Sequence, residues 1–428
     1  MLQPTIFALS SGAPPAGIAV VRISGDQAGT ALHTLTARAL PEPRTAVLRV
    51  LQHPRTAEML DHAVVIWLPG PDTVTGDDIA EVHLHGGRAV VAVVLEALTE
   101  IDGLVMAQAG AFTRRAFENG RMDLSQVEGL ADLLAAETAA QRRSALAMAE
   151  GQLGSLASAW RQEVLQISAR VEALLDYADE DGVPHTLDRS PLAELSTAMQ
   201  QWCGAPSAER LRDGIRVVLA GPPNAGKSTL LNVLAGRDAA IISPVAGTTR
   251  DIIEAPVILD GIPFVMTDTA GLHATSADVI EQEGIRRARR ALERADIILW
   301  LGAPVDCPDK ERSILLAARA DELAYDALGV DQLAISAKTG LGMATLRKQL
   351  LQKARALLPV PDSFAINERQ RRLIAACAIE VDAAHLSDDL LLTAEHLRGA
   401  RAQLDQLVGR AGVEDMLDAL FSGFCIGK

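Results

Sequence analysis

Over its first quarter the chain alternates short apolar runs, bounded by glycine and proline, with stretches whose apolar residues recur at helical spacing. Ile18-Ala-Val-Val-Arg-Ile23 and the run at 61–68 are β-rich, and residues 89–99 carry the helical period. Between them lies Thr75-Gly-Asp-Asp-Ile-Ala-Glu-Val-His-Leu-His-Gly-Gly87, with His83 and His85 alternating on one face of a predicted strand and Gly86-Gly87 opening the next helix. Residues 1–118 therefore predict a mixed α/β domain. From Phe112-Thr-Arg-Arg-Ala-Phe-Glu-Asn-Gly-Arg-Met-Asp-Leu124 onward the character changes. Residues 125–149 and 153–175 are rich in Ala and Leu at helical spacing and predict two packed helices, with Gly151 and Gly154 at the joint. Asp179-Glu-Asp-Gly-Val-Pro184 breaks them as a solvated loop, and 191–201 is helical again.

The pattern changes once more at about residue 211. Apolar strands at 215–220, 263–268, 296–301, 313–318 and 334–336 alternate with helical stretches such as 284–293, and Asp260-Gly261 marks a hairpin, so 211–356 predicts a mostly parallel sheet. In such a sheet ligands bind at the carboxyl ends of the strands. Pro359-Val-Pro361 closes this domain, and 368–383 and 393–407 are helical. Helices thus precede and follow the α/β domain, which predicts that it is inserted in a discontinuous helical bundle whose parts are 119–210 and 357–428.

The chemistry concentrates in the insertion. Gly221-Pro-Pro-Asn-Ala-Gly-Lys-Ser-Thr229 stands between an apolar strand and Leu230-Leu-Asn-Val-Leu-Ala235, the arrangement of a phosphate-binding loop whose N–H groups and helix dipole receive a polyphosphate. In it Asn224, Ala225, Gly226, Lys227, Ser228 and Thr229 are nucleotide candidates, with Lys227 directed to the β- and γ-phosphates and Ser228 to Mg2+. Asp268-Thr-Ala-Gly271 adds Asp268, Thr269, Ala270 and Gly271 at the metal and γ-phosphate, and Thr249 offers a switch hydroxyl. Ser336-Ala-Lys338 fits the loop around a guanine base, so Ser336, Ala337 and Lys338 join the set. Where regulatory GTPases carry a water-positioning Gln, this chain has Leu272, and Glu281 is the preferred substitute although it also suits an exposed helix start. No arginine finger is identifiable, so another cation must meet the charge that develops on the phosphates.

Composition narrows the partners. A formal net charge of -15 argues against a broad cationic surface for nucleic acid, and 3% aromatic residues against base-stacking platforms, so any RNA contact is local or shared. Cys203, Cys307, Cys377 and Cys425 lie far apart, which predicts reduced thiols rather than disulfides or a zinc site. For His83 and His85 a metal pair competes with an ordinary strand-end pair; with no third ligand in view the ordinary pair is favoured. The absence of a run of about 18 apolar residues and of a targeting pattern predicts a cytoplasmic location with no membrane partner.

Four segments taken in order, Thr75-Gly-Asp-Asp with His85-Gly-Gly87, 112–124, Gly247-Thr-Thr-Arg-Asp251 and Phe424-Cys-Ile-Gly-Lys428, resemble those of the tRNA modification GTPase family MnmE, also called TrmE. The resemblance covers nearly the whole chain. It implies an N-terminal folate-binding and dimerisation domain, a helical domain and an inserted Ras-like G domain, assembled as a homodimer. It implies K+-stimulated hydrolysis of GTP when two G domains meet, with Asn224, Thr248 and the backbone of Ser243 and Val245 around K+, Ser228 and Thr249 on Mg2+, and Glu281 positioning the water. Relative to the family pattern, one residue is added between Gly271 and Gly284. By the same resemblance Arg22, Glu81, Arg121 and Lys428 would surround 5,10-methylenetetrahydrofolate or a related folate, and Cys425 would point to the modification site. An MnmG-type partner carrying FAD and using NADH would join a heterotetramer or larger complex. Together they would place an aminomethyl or carboxymethylaminomethyl group on C5 of the wobble uridine (U34) of tRNA.

One departure stands out. Where the family carries N-K-x-D, this chain has Ala318-Arg-Ala-Asp321. Asp321 keeps the acceptor for guanine N1 and N2, Arg319 can stack on the base, and the lost groups predict guanine binding weaker by about 1–3 kcal/mol. The segment between Leu301 and Ser313 is also short. Two other functions compete with this one: a GTP-switched binding module such as a ribosome-assembly GTPase, and a dimer scaffold with weakened guanine selectivity.

Overall fold

The computed structural model describes residues 3–176, 186–236, 254–268, 286, 288–322, 331–359, 364–411 and 414–427. It divides into two compact units. One comprises Met1–Ala131, Ala149–Val164 and Arg401–Lys428, the other Asp132–Met148 and Leu165–Ala400.

The first unit is built on β1 (Thr5–Leu9), β2 (Ile18–Ser24), α1 (Ala28–Thr36), β3 (Ala46–Gln52), β4 (Met59–Leu68), β5 (Ile79–His85), α2 (Arg88–Thr99) and β6 (Leu104–Met106). The strands form one sheet in the order β3-β4-β5-β2-β1-β6, antiparallel except for the β1–β6 pair. Strand alternation sends Val21, Ile23, Val65, Val82 and Leu84 into a core with Leu32 and Leu35 of α1 and Val94 and Leu98 of α2. The same alternation puts the intervening residues on the other face. There Arg22 of β2 stands in register with Glu81 of β5.

Beyond the sheet come α3 (Ala111–Glu118), α4 (Leu124–Ala135), α5 (Ala139–Ala149), α6 (Gln152–Asp176), α7 (Ser190–Gly204) and α8 (Ala208–Arg212). Here one expectation is corrected: residues 125–149 form two helices. The break is a reciprocal cap. Thr138 Oγ1 accepts from the Gln141 N–H at 3.2 Å, and Gln141 Oε1 accepts from the N–H groups of Glu137 and Thr138 at 2.9 and 2.8 Å. Those bonds satisfy N–H groups at the start of α5 and so stop α4 before it. The acidic break expected at 179–184 lies outside the described residues.

In the second unit, β7 (Ile215–Ala220), α9 (Lys227–Gly236), β8 (Glu254–Leu259), β9 (Ile262–Asp268), β10 (Ile297–Trp300), β11 (Ser313–Ala317) and β12 (Leu333–Ala334) give a sheet in the order β12-β11-β10-β7-β9-β8. All its pairs are parallel except the β8–β9 hairpin, whose Asp260 and Gly261 both have positive φ (51° and 74°), as a tight right-twisted hairpin requires. The core holds Val217 and Leu219 of β7, Leu230 and Leu234 of α9, Phe264 and Met266 of β9 and Leu299 of β10, with Leu346 and Leu350 from α10 (Met343–Leu357). This is a Ras-like G domain. It lies in the chain between α8 and the helices α11 (Glu368–Leu386), α12 (Leu390–Leu407) and α13 (Glu414–Ser422). A capping box of Asn367 and Gln370 starts α11, which packs along α7.

Candidate functional site

The buried strand β7 delivers the chain to the phosphate loop at the carboxyl edge of the sheet. Gly221 has φ +149°, and a Cβ there would lie 3.0 Å from the backbone of Leu301, so the loop passes against the chain leaving β10 only because this residue is glycine. Asn224 sits in the left-handed region at φ 60°, which a short polar side chain tolerates better than most. Lys227 opens α9 at 3% exposure, and its Nζ donates to the carbonyls of Gly221 at 2.9 Å and Pro222 at 2.8 Å. Burial pushes its pKa down, opposed by the Asp268 carboxylate. The ammonium thus rests on neutral loop carbonyls in a place where an anionic phosphate is the stronger acceptor.

Next along α9, the Ser228 hydroxyl donates to the carboxylate of Asp268, which ends the neighbouring strand β9. A hydroxyl and a carboxylate side by side are a hard-oxygen pair. They fit Mg2+, which takes few protein ligands and keeps waters or phosphate oxygens in its remaining positions. Ala225 and Thr229 lie in the same loop and first helical turn. Ser243, Val245, Thr248, Thr249, Thr269, Ala270, Gly271 and Glu281 lie outside the described residues.

The base-loop candidates converge. After β11, Arg319 takes a left-handed φ of 54°, and the Ala320 N–H donates to the Ile335 carbonyl at 3.0 Å, tying this loop to the strand end before Ser336. A hydrogen bond from Ser336 holds the Asp321 carboxyl below its usual range, with smaller help from the charges of Lys338 and Arg319. Ser336 is itself buried and also accepts from the Thr339 N–H at 3.1 Å. Asp321 is exposed, and Ala337 and Lys338 stand in the turn that follows Ser336.

Across the N-terminal sheet, Arg22 donates through Nε and Nη2 to Glu81 Oε1 at 3.1 and 2.9 Å, and its guanidinium lies 5.9 Å from the centre of the Phe112 ring. His83 Nε2 stands 3.3 Å from the other oxygen of Glu81, and His85 Nδ1 2.7 Å from Asp61. Both histidines thus have carboxylate partners. Among the described residues no group of three or more His, Cys, Asp or Glu is placed to hold a metal ion. Arg121 reaches Asp72 at 3.8 Å, in the loop before β5.

That loop reveals residues that the list of candidates missed. Arg115 and Asn119 both fasten Asp77: Arg115 Nη1 stands 3.2 Å from its carboxylate, and Asn119 Nδ2 donates to it at 2.9 Å and to the Thr75 carbonyl at 2.7 Å. The 112–124 segment is in this way the clamp of the Thr75-Gly-Asp-Asp turn. The signal was present in both quoted segments, but not the pairing between them. Of the thiols, Cys425 is exposed, whereas Cys377 is buried and pushed up to about 12 by that burial, with Glu380 beside it. Lys428 lies outside the described residues. No helix among the described residues is long and apolar enough to cross a membrane.

Comparison with known proteins accounts for both halves of this arrangement. The family model for the GTP-binding protein TrmE N-terminus matches residues 5–121, and that for the MnmE helical domain matches 124–425. A protein of Rhizorhabdus wittichii named tRNA modification GTPase MnmE is 55% identical over 428 residues, covering 99% of this chain and 96% of its own. Proteins of the same name are 52% identical in Novosphingobium aromaticivorans, covering 100% of both chains, and 48% identical in Zymomonas mobilis, covering 99% of this chain and 100% of the relative. Identity of this level over essentially full length, on top of a phosphate loop, a base loop and a clamped N-terminal turn, shows that the chain belongs to the MnmE family.

Proposed function

We infer that the protein hydrolyses GTP and, with an MnmG-type partner, modifies the wobble uridine of tRNA. The observation that carries the hydrolase reading is the phosphate loop itself. Lys227 stands buried at the head of α9, and Ser228 meets Asp268 from the adjoining strand. Phosphoryl transfer asks a protein mainly for positioning and for cations around the transferred group. Lys227 supplies one such cation, loop N–H groups supply donors, and Asp321 with Ser336 selects the purine. Mg2+ on Ser228 and Thr249 would neutralise phosphate charge, and K+ held by Asn224, Thr248 and the backbone of Ser243 and Val245 would stand where an arginine finger acts elsewhere. Glu281 is the residue we assign to orienting the attacking water.

The test is turnover of GTP and of ATP in K+ and in Na+, with Glu281→Ala alongside. GTP-selective turnover that requires K+ and falls about 10²-fold or more on substitution is expected if one residue positions the nucleophile. Equal turnover of GTP and ATP would favour the dimer scaffold with weakened guanine selectivity, a reading that the Ala318-Arg319 departure alone supports. Absence of a K+ effect would remove the cation assignment.

The same reading divides the chain into an N-terminal domain at 1–118, helical parts at 119–210 and 357–428 and a G domain at 211–356, assembled as a homodimer. It places a reduced folate, the one-carbon donor, between Arg22, Glu81, Arg121 and Lys428. Cations suit the glutamate carboxylates of a folate, and a carboxylate accepts from the donor edge of a pterin. The Arg22–Glu81 pair, aligned across two strands, supports this assignment because it fixes that carboxylate before any ligand arrives. Glu81→Gln is expected to weaken tetrahydrofolate binding roughly 10- to 100-fold, the range for a lost charged hydrogen bond. Calorimetric titration of the two proteins checks it, and equal affinities would move the folate elsewhere.

A further inference from the structure

We propose that Ser10 and Gly427 form a latch that seats residues 424–427 on the edge of the N-terminal sheet and thereby fixes where Cys425 stands during tRNA modification. The part that concerns Cys425 rests on the function inferred above, together with the role for this thiol that the family resemblance implies; the latch itself does not.

The segment is held on both sides of the cysteine. Before it, Phe421 and Phe424 are buried with Val127, their own ring centres 6.2 Å apart. The chain can approach there because Gly110 has no side chain: a Cβ at that position would lie 2.5 Å from the Phe421 carbonyl oxygen. After it, Ile426 makes an antiparallel bridge with Ala109, and the Ser10 hydroxyl donates to the Gly427 carbonyl at 2.8 Å. Ser10 is not free to follow a moving tail, since its own N–H donates to the Val20 carbonyl at 2.7 Å and continues the β1–β2 ladder.

Gly427 is the tightest point. Its φ is +96°, and a Cβ there would meet the Leu9 carbonyl oxygen at 2.0 Å and the Ser10 Cα at 2.9 Å. Both atoms belong to backbone that cannot swing aside. A glycine needed only for a loose linker would show open space around it, as Gly120 does. Between these anchors Cys425 is exposed while Phe424 and Gly427 are buried. The result is a thiol displayed to solvent on backbone pinned one residue before it and two after it. Such fixing raises the effective concentration of a group at its target far above that of a loose tail. Ser10 and Gly427 are positioning residues in this scheme, with no contact to the reacting atoms.

The test compares the unsubstituted chain with Gly427→Val, Ser10→Ala and Ser10→Thr. Three readouts are taken on the full-length protein: amide hydrogen exchange of peptides spanning 421–427, GTP turnover, and tRNA modification with the MnmG-type partner. Gly427→Val is expected to speed exchange at Ile426 at least tenfold and to cut modification by a similar factor, with GTP turnover within twofold. Ser10→Ala should do the same by about fivefold, the worth of one neutral hydrogen bond, and Ser10→Thr should restore it. Unchanged exchange in Gly427→Val overturns the latch. Faster exchange with undiminished modification overturns the positioning of Cys425. Failure of the unsubstituted chain to modify tRNA overturns the function on which that second claim rests, and the exchange data still decide the first.

Discussion

Replacing Lys227 by alanine is expected to lower GTP turnover at saturating nucleotide by about 10²- to 10³-fold, the effect of deleting one preorganised donor of about 2.7–4 kcal/mol from a water-poor site. The side chain is 3% exposed and its ammonium is held by two loop carbonyls at 2.9 and 2.8 Å. Nothing else among the described residues of the loop brings a full positive charge to the phosphates. Arginine should not substitute, because a planar fork cannot occupy the space of a compact ammonium between those carbonyls. The lowered pKa of Lys227 adds a pH signature. Burial disfavours the charged form in the nucleotide-free protein, so the native pKa lies below the unfolded one; this penalty is present below the native pKa and is relieved as pH rises through it. A bound polyphosphate reverses that balance by favouring the ammonium. Nucleotide affinity should accordingly fall as pH rises through the pKa of the free protein, and Lys227→Ala should lose this dependence. Titration of a fluorescent GTP analogue over an alkaline pH series measures it. Turnover within threefold of the unsubstituted chain would show that Lys227 does not serve the phosphates.

The strand, turn and helix around residues 221–229 were legible because they are local. A strand, a glycine turn and a helix follow one another within 215–236, and each has a periodicity or a backbone requirement that one stretch of sequence displays. The hairpin at Asp260-Gly261 was legible for the same reason. What escaped depends on residues far apart. Asn119 and Asp77 are separated by 42 positions, and Ser10 and Gly427 by 417, so neither pairing exists until the sheet has formed. The break between α4 and α5 failed differently: the cap at Thr138 and Gln141 was local and readable, but alanine and leucine on either side of it read as one continuous helix. A local signal was outweighed by composition, whereas in the tertiary pairs no local signal existed.

The largest loss of stability is expected in the N-terminal unit from Arg115→Leu, about 3–5 kcal/mol, the range for breaking a buried ion pair from one side. Arg115 is 4% exposed and lies on α3 with its fork spread over three acceptors. Nη1 donates to the Ser24 carbonyl at 2.6 Å and faces Asp77 at 3.2 Å, while Nη2 donates to the Pro4 carbonyl at 2.6 Å. Burial lowers the pKa of the guanidinium and the charge of Asp77 chiefly opposes it, so this cation is tolerated inside only because of these partners. Leucine of similar volume removes the donor and leaves two backbone carbonyls short of a partner, while Asp77 keeps its bond from Asn119. Lysine keeps the charge yet reaches a single point, so it should recover only part of the loss. For a unit of this size the unfolding transition should drop by roughly 6–20 °C, taking about 2–4 °C per kcal/mol. Asn119→Ala is the milder companion, since it gives up the bonds to Thr75 and Asp77 without leaving a buried charge. Thermal unfolding of the full chain, followed beside GTP turnover at a temperature below both transitions, separates the two units: the clamp is absent from the G domain, so turnover should hold while the N-terminal transition falls. A cycle with Asp77→Asn then isolates the pair, and a coupling energy near zero would mean that the two carbonyls, rather than the ion pair, hold Arg115 in place.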